Sequence, residues 1–436
     1  MPMAGFGTRL LSRITIGGML SAMWILRRVD RKFLGSSSRR PDDQFRLDPY
    51  TSFRLVQNRG PVLRSYANRG WVVTGYPEVQ DALRNPLLSS DLRRNRFFLW
   101  LLQAATGDNP VPFIDNPPML NQDPPNHTRL RKLVSTGFTN RYIQSLTPVI
   151  ESRIDSLLDD VGSRSQFDVI ASLAEPLPAM IIAGMMGVPE DEQRRFISWS
   201  HDLIGATVID RPELVEKAAI AEQEMHGYIA KLIAEKRQRP ADDFISRLVA
   251  AHQDNDSLTQ NEMISTCILL LAAGHETTTR LIGNGLYTLI THPDQFDRLR
   301  ADRSLLENAI EEMLRYEPPV QITLRFVAED HEFHGVKFKR GQMVLVNLAA
   351  ANRDPRVHQQ PDEFDITRKP VPHLSFGYGI HLCLGLTLAR LEARLAFNAL
   401  LDRYSRFELV EAAPSWQGNA FFRGMERLWV TASPGS

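Results

Sequence analysis

The chain is expected to be mostly α-helical with small β-sheets. Three observations predict this. Apolar residues recur at helical spacing over most of the sequence after residue 126. Two strand-like runs, Thr323–Ala328 and Met343–Leu348, exclude an all-helical bundle. One periodic stretch, 260–291, would be ~48 Å long at the usual helical rise, enough to cross a whole domain.

Taken in order, residues 1–47 form a leader and linker. Residues 1–29 carry no acid, and Arg9, Arg13, Arg27 and Arg28 punctuate the apolar run Leu10–Leu26. That run is shorter than the ~20 residues of a spanning helix. No small-residue cleavage site follows it. An amphipathic helix on a membrane surface, through residues 1–32, suits the pattern best. A helix packed on the protein, a disordered leader and a transit-like peptide are the other readings. Ser36–Pro41 is the linker.

Residues 48–436 are expected to be one domain, since no second long linker and no repeat occurs. Trp71–Gly75 suggests a strand ending in a turn, and Pro77–Arg84 a helix. Residues 86–120, rich in Pro and Asn, suggest a long ordered loop whose apolar cluster Phe97–Leu102 covers a pocket. Helices are expected at 126–160, 168–186, 190–205, 213–238, 242–253, 260–291, 294–300, 304–316 and 384–402. Thr259-Gln-Asn-Glu262 is a capping box that starts the long helix, and Pro293 ends it. Its middle, Ala272–Thr279, is polar and small. There Thr277 can turn its hydroxyl to the carbonyl of Ala273 and bend the helix.

Composition narrows function. Of 436 residues, 43% are hydrophobic, enough for a sizeable core, and the formal net charge is zero, which argues against a nucleic-acid binder. Two cysteines cannot make a disulfide framework and fit a reducing compartment. The expected location is the cytoplasm, with contact to the inner membrane surface through the leader.

The most informative stretch is Phe376-Gly-Tyr-Gly-Ile-His-Leu-Cys-Leu-Gly385. It places Cys383 on a glycine-rich loop at a helix start, where the positive dipole end is expected to lower the thiol pKa. Gly377 and Gly379 permit a tight turn. Gly385 leaves room for a flat cofactor, and Phe376 walls the sulfur. A zinc site would need about four ligands. Here His373 and His381 are near, but Cys267 is far away in sequence. A cysteine-protease nucleophile needs an opposed histidine, and His381 on the same loop is badly placed.

This string resembles the haem-binding signature of the cytochrome P-450 family, the haem-thiolate monooxygenases, in its bacterial soluble form. The likeness covers roughly residues 48–436. It implies the P-450 fold, with a long distal helix over haem b and the cysteine loop on the proximal side. It implies Cys383 as the iron ligand, whose thiolate favours O–O cleavage. Glu276 and Thr277 would be the acid–alcohol pair that handles protons, with Ala273 and Gly274 leaving room for dioxygen. His127, Arg131, Arg325 and His381 would hold the propionates. Arg129, on another face of its helix, would turn toward the electron donor. Glu312 and Arg315 would be a buried structural pair bracing the cysteine loop. Glu363 stands where many members have arginine, which leaves Arg368 to join that network.

No fused redox domain is expected, so electrons would come from separate proteins, which the resemblance implies are a ferredoxin-type donor and its NAD(P)H-dependent reductase. The expected activity is insertion of one oxygen atom into a lipophilic small molecule. Pocket-lining expectations are Phe97, Phe98, Leu102, Ile204, Val208, Ala273, Val320, Ile322 and Phe422. A peroxide-driven enzyme or isomerase on the same fold is an alternative, disfavoured by the acid–alcohol pair. A non-catalytic haem sensor is another, and would leave that pair unexplained.

Overall fold

The computed structural model describes residues 43–435 apart from 67, 107–110, 112, 206, 208–210, 252–257, 369–371, 412–413 and 418–419. Of the leader only Asp43–Leu47 is described, as a short helix. The expected membrane-surface segment lies outside the described residues.

The N-terminal part contains α1 (Pro49–Gln57), β1 (Val62–Ser65), β2 (Gly70–Val73), α2 (Tyr76–Arg84), β3 (Leu88–Ser89) and α3 (Arg96–Thr106). A helical block follows: α4 (Asn126–Ser135), α5 (Thr147–Val161), the short β4 (Gln166–Asp168), α6 (Pro176–Met185), α7 (Gln193–Gly205), α8 (Pro212–Gln238) and α9 (Gln260–Thr291). Then come α10 (Leu306–Tyr316), β5 (Ile322–Val327), β6 (His331–Phe333), β7 (Val336–Phe338), β8 (Met343–Asn347), α11 (Leu386–Arg403), β9 (Tyr404–Leu409) and β10 (Trp429–Pro434). The mostly α expectation holds.

The five-stranded sheet has the order β1-β2-β8-β5-β3. Only β2 and β8 pair in parallel, in the register Trp71↔Val344. Strand β8 is buried at every residue, as its continuous apolar run requires at the sheet centre. A second sheet, β4-β10-β9, joins the C-terminus to the helical block.

Helix α9 is the axis of the largest apolar cluster and packs against α6, α7, α8, α10 and α11. The expected capping box is present at its start: Thr259 Oγ1 accepts from Glu262 N at 3.2 Å, and Glu262 accepts from Thr259 N at 2.8 Å. Burial is interrupted at its middle, where Ala273 is exposed and Gly274 and Thr277 are half-buried. Among the described residues no helix is long and apolar enough to cross a membrane.

Two segments differ from expectation. The 86–120 loop contains α3. Its run Phe97–Leu102 has Phe98 and Leu102 four apart, so one helical face is buried, and Asn95 caps the start by accepting from Phe98 N at 2.7 Å. The continuous helix over 126–160 is broken. Thr139 caps a separate short helix, Asn140–Ser145, and Pro148 then occupies the first turn of α5, where its missing N–H costs nothing.

Candidate functional site

The site is built between α9 and the loop before α11. That loop turns as its glycines predict: Gly377 and Gly379 both have φ 72°, a conformation L side chains rarely adopt. Cys383 N donates to Phe376 O at 2.8 Å, folding the loop so that the sulfur precedes α11. A Cβ built on Gly385 would meet nothing within 4 Å, so a flat group has space there. Residues 383–387 are only half-buried although a core surrounds their helix. The Arg390 guanidinium stacks over the Phe376 ring at 4.6 Å and pairs with Glu311 through two bonds, at 2.6 and 2.7 Å. The lowered thiol pKa is not found. Burial pushes the Cys383 thiol up, and the Gly385 N–H, Arg131 and Arg390 only partly offset it.

A bracing network holds this loop. Arg315 makes a two-point pair with Glu312, each bond 2.7 Å, and both side chains are buried. Arg368 Nε donates to the same Glu312 at 3.1 Å, and its Nη2 donates to the carbonyls of Gln360 and Glu363, both at 3.0 Å. It thereby supplies the third arm that Glu363 cannot. Arg315 also donates to Asn352 O at 3.1 Å, while Asn352 Nδ2 reaches Ser375 Oγ and its Oδ1 accepts from Leu374 N, both at 2.8 Å. The pair thus connects to the start of the cysteine loop through Asn352, which the sequence did not single out.

A different set of cations converges beside the loop. His127 on α4 and His381 lie with ring centroids 4.2 Å apart, and Arg131 and Arg325 adjoin them. His127 is buried and both its ring nitrogens lack partners. Arg325 is 4% exposed and, among the described residues, its hydrogen bonds go to Thr323 Oγ1 and its neighbour's carbonyl, Leu324 O at 2.8 Å. Burial pushes Arg325 down to about 10, with Asp123 opposing. Burial, then Arg325, His127 and Arg131, push His381 down to about 3. Ser90 Oγ lies 3.0 Å from His381 Nε2, a contact the sequence did not reveal. Buried Arg325 and half-buried Arg131, neither in an ion pair among the described residues, form a cradle for an anion.

Across the gap, Thr277 Oγ1 donates to Ala273 O at 2.7 Å, the back-bond the sequence predicts. Glu276 is buried and faces α7. It pairs closely with Arg280, one turn along α9, and lies 2.8 Å from His201 Nδ1. His201 Nε2 lies 2.6 Å from Glu175. Burial opposes charge on Glu276, but Arg280 and His201 overcome it and hold the carboxyl below the usual carboxylate range. The i,i+4 spacing could have revealed Arg280; nothing local could have revealed His201. Arg129 adds a link to the start of α9. It forms an ion pair with Glu262, the capping-box acid, which the sequence did not anticipate.

The pocket residues scatter. Phe98, Leu102 and Ile322 share one apolar cluster, and Val320 bridges Phe422. Ile204 is half-buried near the end of α7, and Val208 lies outside the described residues. Phe97 departs from its neighbours: its ring lies under the Arg69 guanidinium at 4.4 Å and stacks on Trp100.

The residues present fit haem: a cysteine before a helix, open space at Gly385, and His127, Arg131, Arg325 and His381 gathered beside the cysteine loop. Comparisons agree. A family model described as Cytochrome P450 matches residues 110–415. Cytochrome P450 107B1 of Saccharopolyspora erythraea is 41% identical, covering 89% of this chain and 96% of that protein. Vitamin D(3) 25-hydroxylase of Pseudonocardia autotrophica is 38% identical, covering 90% and 96%. P450BioI, solved in complex with a hexadec-9Z-enoic acid ligated acyl carrier protein, superposes with a TM-score of 0.81 at 36% identity, covering 90% of this chain and all of that one. Such enzymes bind haem and need a supply of electrons and a substrate. The chain belongs to the cytochrome P450 family and is a haem-thiolate monooxygenase of small lipophilic molecules.

Proposed function

We propose that this monooxygenase oxidises a lipophilic acyl, polyketide, terpene or steroid substrate, with electrons from a ferredoxin-type donor and its NAD(P)H-dependent reductase. The carrying observation is the uncompensated cradle of His127, Arg131, Arg325 and His381 beside Cys383. In this reading Cys383 ligates the iron and the cradle holds the propionates. Haem, when bound, supplies the site that activates dioxygen. Phe98, Leu102, Ile322, Val320 and Phe422 orient the substrate and keep water out. Thr277 Oγ1, already donating to Ala273 O, keeps acceptor capacity for an incoming proton. Glu276, an ionised carboxylate beside Arg280, takes that proton from the His201 imidazolium and passes it on. The relative solved with an acyl-ligated carrier protein supports a carrier-held acyl chain as one form of substrate. Residues 1–32 provide a membrane contact in this reading, tested by comparing the partitioning of the full chain with that of one shortened by residues 1–36.

Thr277→Ala tests the proton assignment. Substrate binding and the carbon monoxide spectrum should persist, while product per electron falls and hydrogen peroxide rises. Loss of a positioned acid–base group typically costs ~10²-fold or more. Full coupling in Thr277→Ala, with no ordered water replacing the hydroxyl, would refute the role.

A further inference from the structure

Away from the cradle, five arginines from four segments line one cleft of about 550 Å³ beside the five-stranded sheet. Arg69 stands in the β1–β2 turn, Arg93 and Arg94 in the 3-10 turn before α3, Arg96 at the start of α3, and Arg340 in the turn before β8. The turns are fixed. Asn95 Nδ2 donates to Gly341 O at 2.8 Å, tying the α3 turn to the β8 turn. Asp330 accepts from Arg340 N and Lys339 Nζ, both at 2.8 Å.

Charge in the cleft is not balanced. Asp91 occupies Arg93, through bonds of 2.8 and 2.9 Å. Arg94 is 3.7 Å from Asp123, whose carboxylate already bonds Ser89 and Ser90 N. Among the described residues, Arg69, Arg96 and Arg340 have no ion-pair partner. The whole chain is neutral, so this excess is local. Converging guanidinium groups repel one another in a concavity, and an oxyanion relieves that repulsion. Arginine forks match phosphate geometry, and a cleft focuses the field. Phe97 and Trp100, stacked at 6.2 Å, add an apolar surface for the organic part of a ligand. Phe98 and Leu102, on the buried face of the same helix, belong to the proposed pocket wall.

We propose that this cleft binds the phosphate of an organic phosphate ester that delivers the substrate to the pocket behind α3. Two sources share this chemistry: a free phosphorylated molecule, and the phosphodiester of a carrier protein's pantetheine arm. Only the second rests on the carrier reading above.

The test is calorimetric titration of the haem-loaded protein at low salt, where surface charge is least screened. The probes are 4′-phosphopantetheine, pantetheine without phosphate, and an acyl carrier protein with and without its arm. Wild type should bind phosphopantetheine roughly 10-fold or more tighter than pantetheine, as charge-assisted contacts imply. The triple variant Arg69→Gln/Arg96→Gln/Arg340→Gln should lose that preference while keeping its carbon monoxide spectrum. Tighter binding of the armed carrier than of the free arm assigns the carrier source; equal or weaker binding assigns the free ester. Equal affinity of wild type and variant for phosphopantetheine overturns the proposal. So does no preference of the wild type for the phosphate. Equal binding of the carrier with and without its arm, while phosphopantetheine still prefers the wild type, assigns the free ester.

Discussion

Arg315 and Arg325 are both buried, at 2% and 4% exposure, yet their surroundings are opposite. Arg315 is saturated by a two-point bond to Glu312 and by carbonyls of Asn352, Pro361 and Glu363. Arg325 has a hydroxyl, one adjacent carbonyl and no carboxylate. A saturated buried charge is a brace, complete in the polypeptide alone. An unsaturated one carries a desolvation cost that only an incoming anion removes. On the proposed function, the difference separates residues that shape the cysteine loop from residues that would hold the haem propionates.

Breaking the brace should have the largest effect. Glu312→Ala leaves Arg315 buried without its counter-charge, a change worth ~3–5 kcal/mol. Urea unfolding of the apoprotein should show that loss. A loss below about 1 kcal/mol would put Arg315 in the same class as Arg325 and erase the comparison.

The cradle should behave inversely. Arg325→Met removes an uncompensated charge at similar volume, so apoprotein stability should hold or rise. Haem retention should fall by about 10–100-fold, the scale of one lost charge-assisted hydrogen bond. Haem transfer to an acceptor protein measures the second quantity and urea unfolding the first. Equal destabilisation of apoprotein and holoprotein would make Arg325 a brace.

A smaller effect sharpens the comparison at the α7–α9 contact. Hydrogen bonding to Glu175 and Glu276 raises His201 to about 10 against the cost of burial. Its ordinary value is ~6.5. The stabilisation is therefore complete below pH ~6.5 and is lost as pH rises through about 10. The side chain is 42% exposed, so solvent screening reduces it. His201→Gln should lower the urea midpoint at neutral pH, and the gap should close above pH about 10. A gap constant over that range would remove the ion pair from the account.

Local chemistry made much of this legible beforehand. The capping box, the 32-residue helix, the positive-φ glycines and the Thr277 back-bond all depend on residues within one turn of each other. The helix α3 was missed because Pro and Asn around it signal a loop, while Phe98 and Leu102 gain their burial from distant β5 and β8. Asn352 and His201 were invisible for the same reason: their partners lie far off in sequence. The helix-start argument for Cys383 weighed the local dipole and not the burial of the folded loop, which dominates.

The central claim is that Cys383 ligates haem iron while the cradle holds the haem in place. The carbon monoxide spectrum of the reduced protein tests it most directly. Wild type and Cys267→Ser should both show the strongly red-shifted Soret band of thiolate ligation, because Cys267 is fully buried within the apolar cluster of α9. Cys383→Ser should lose that band. A Cys383→Ser protein that keeps it, with Cys267→Ser abolishing it, would contradict the account.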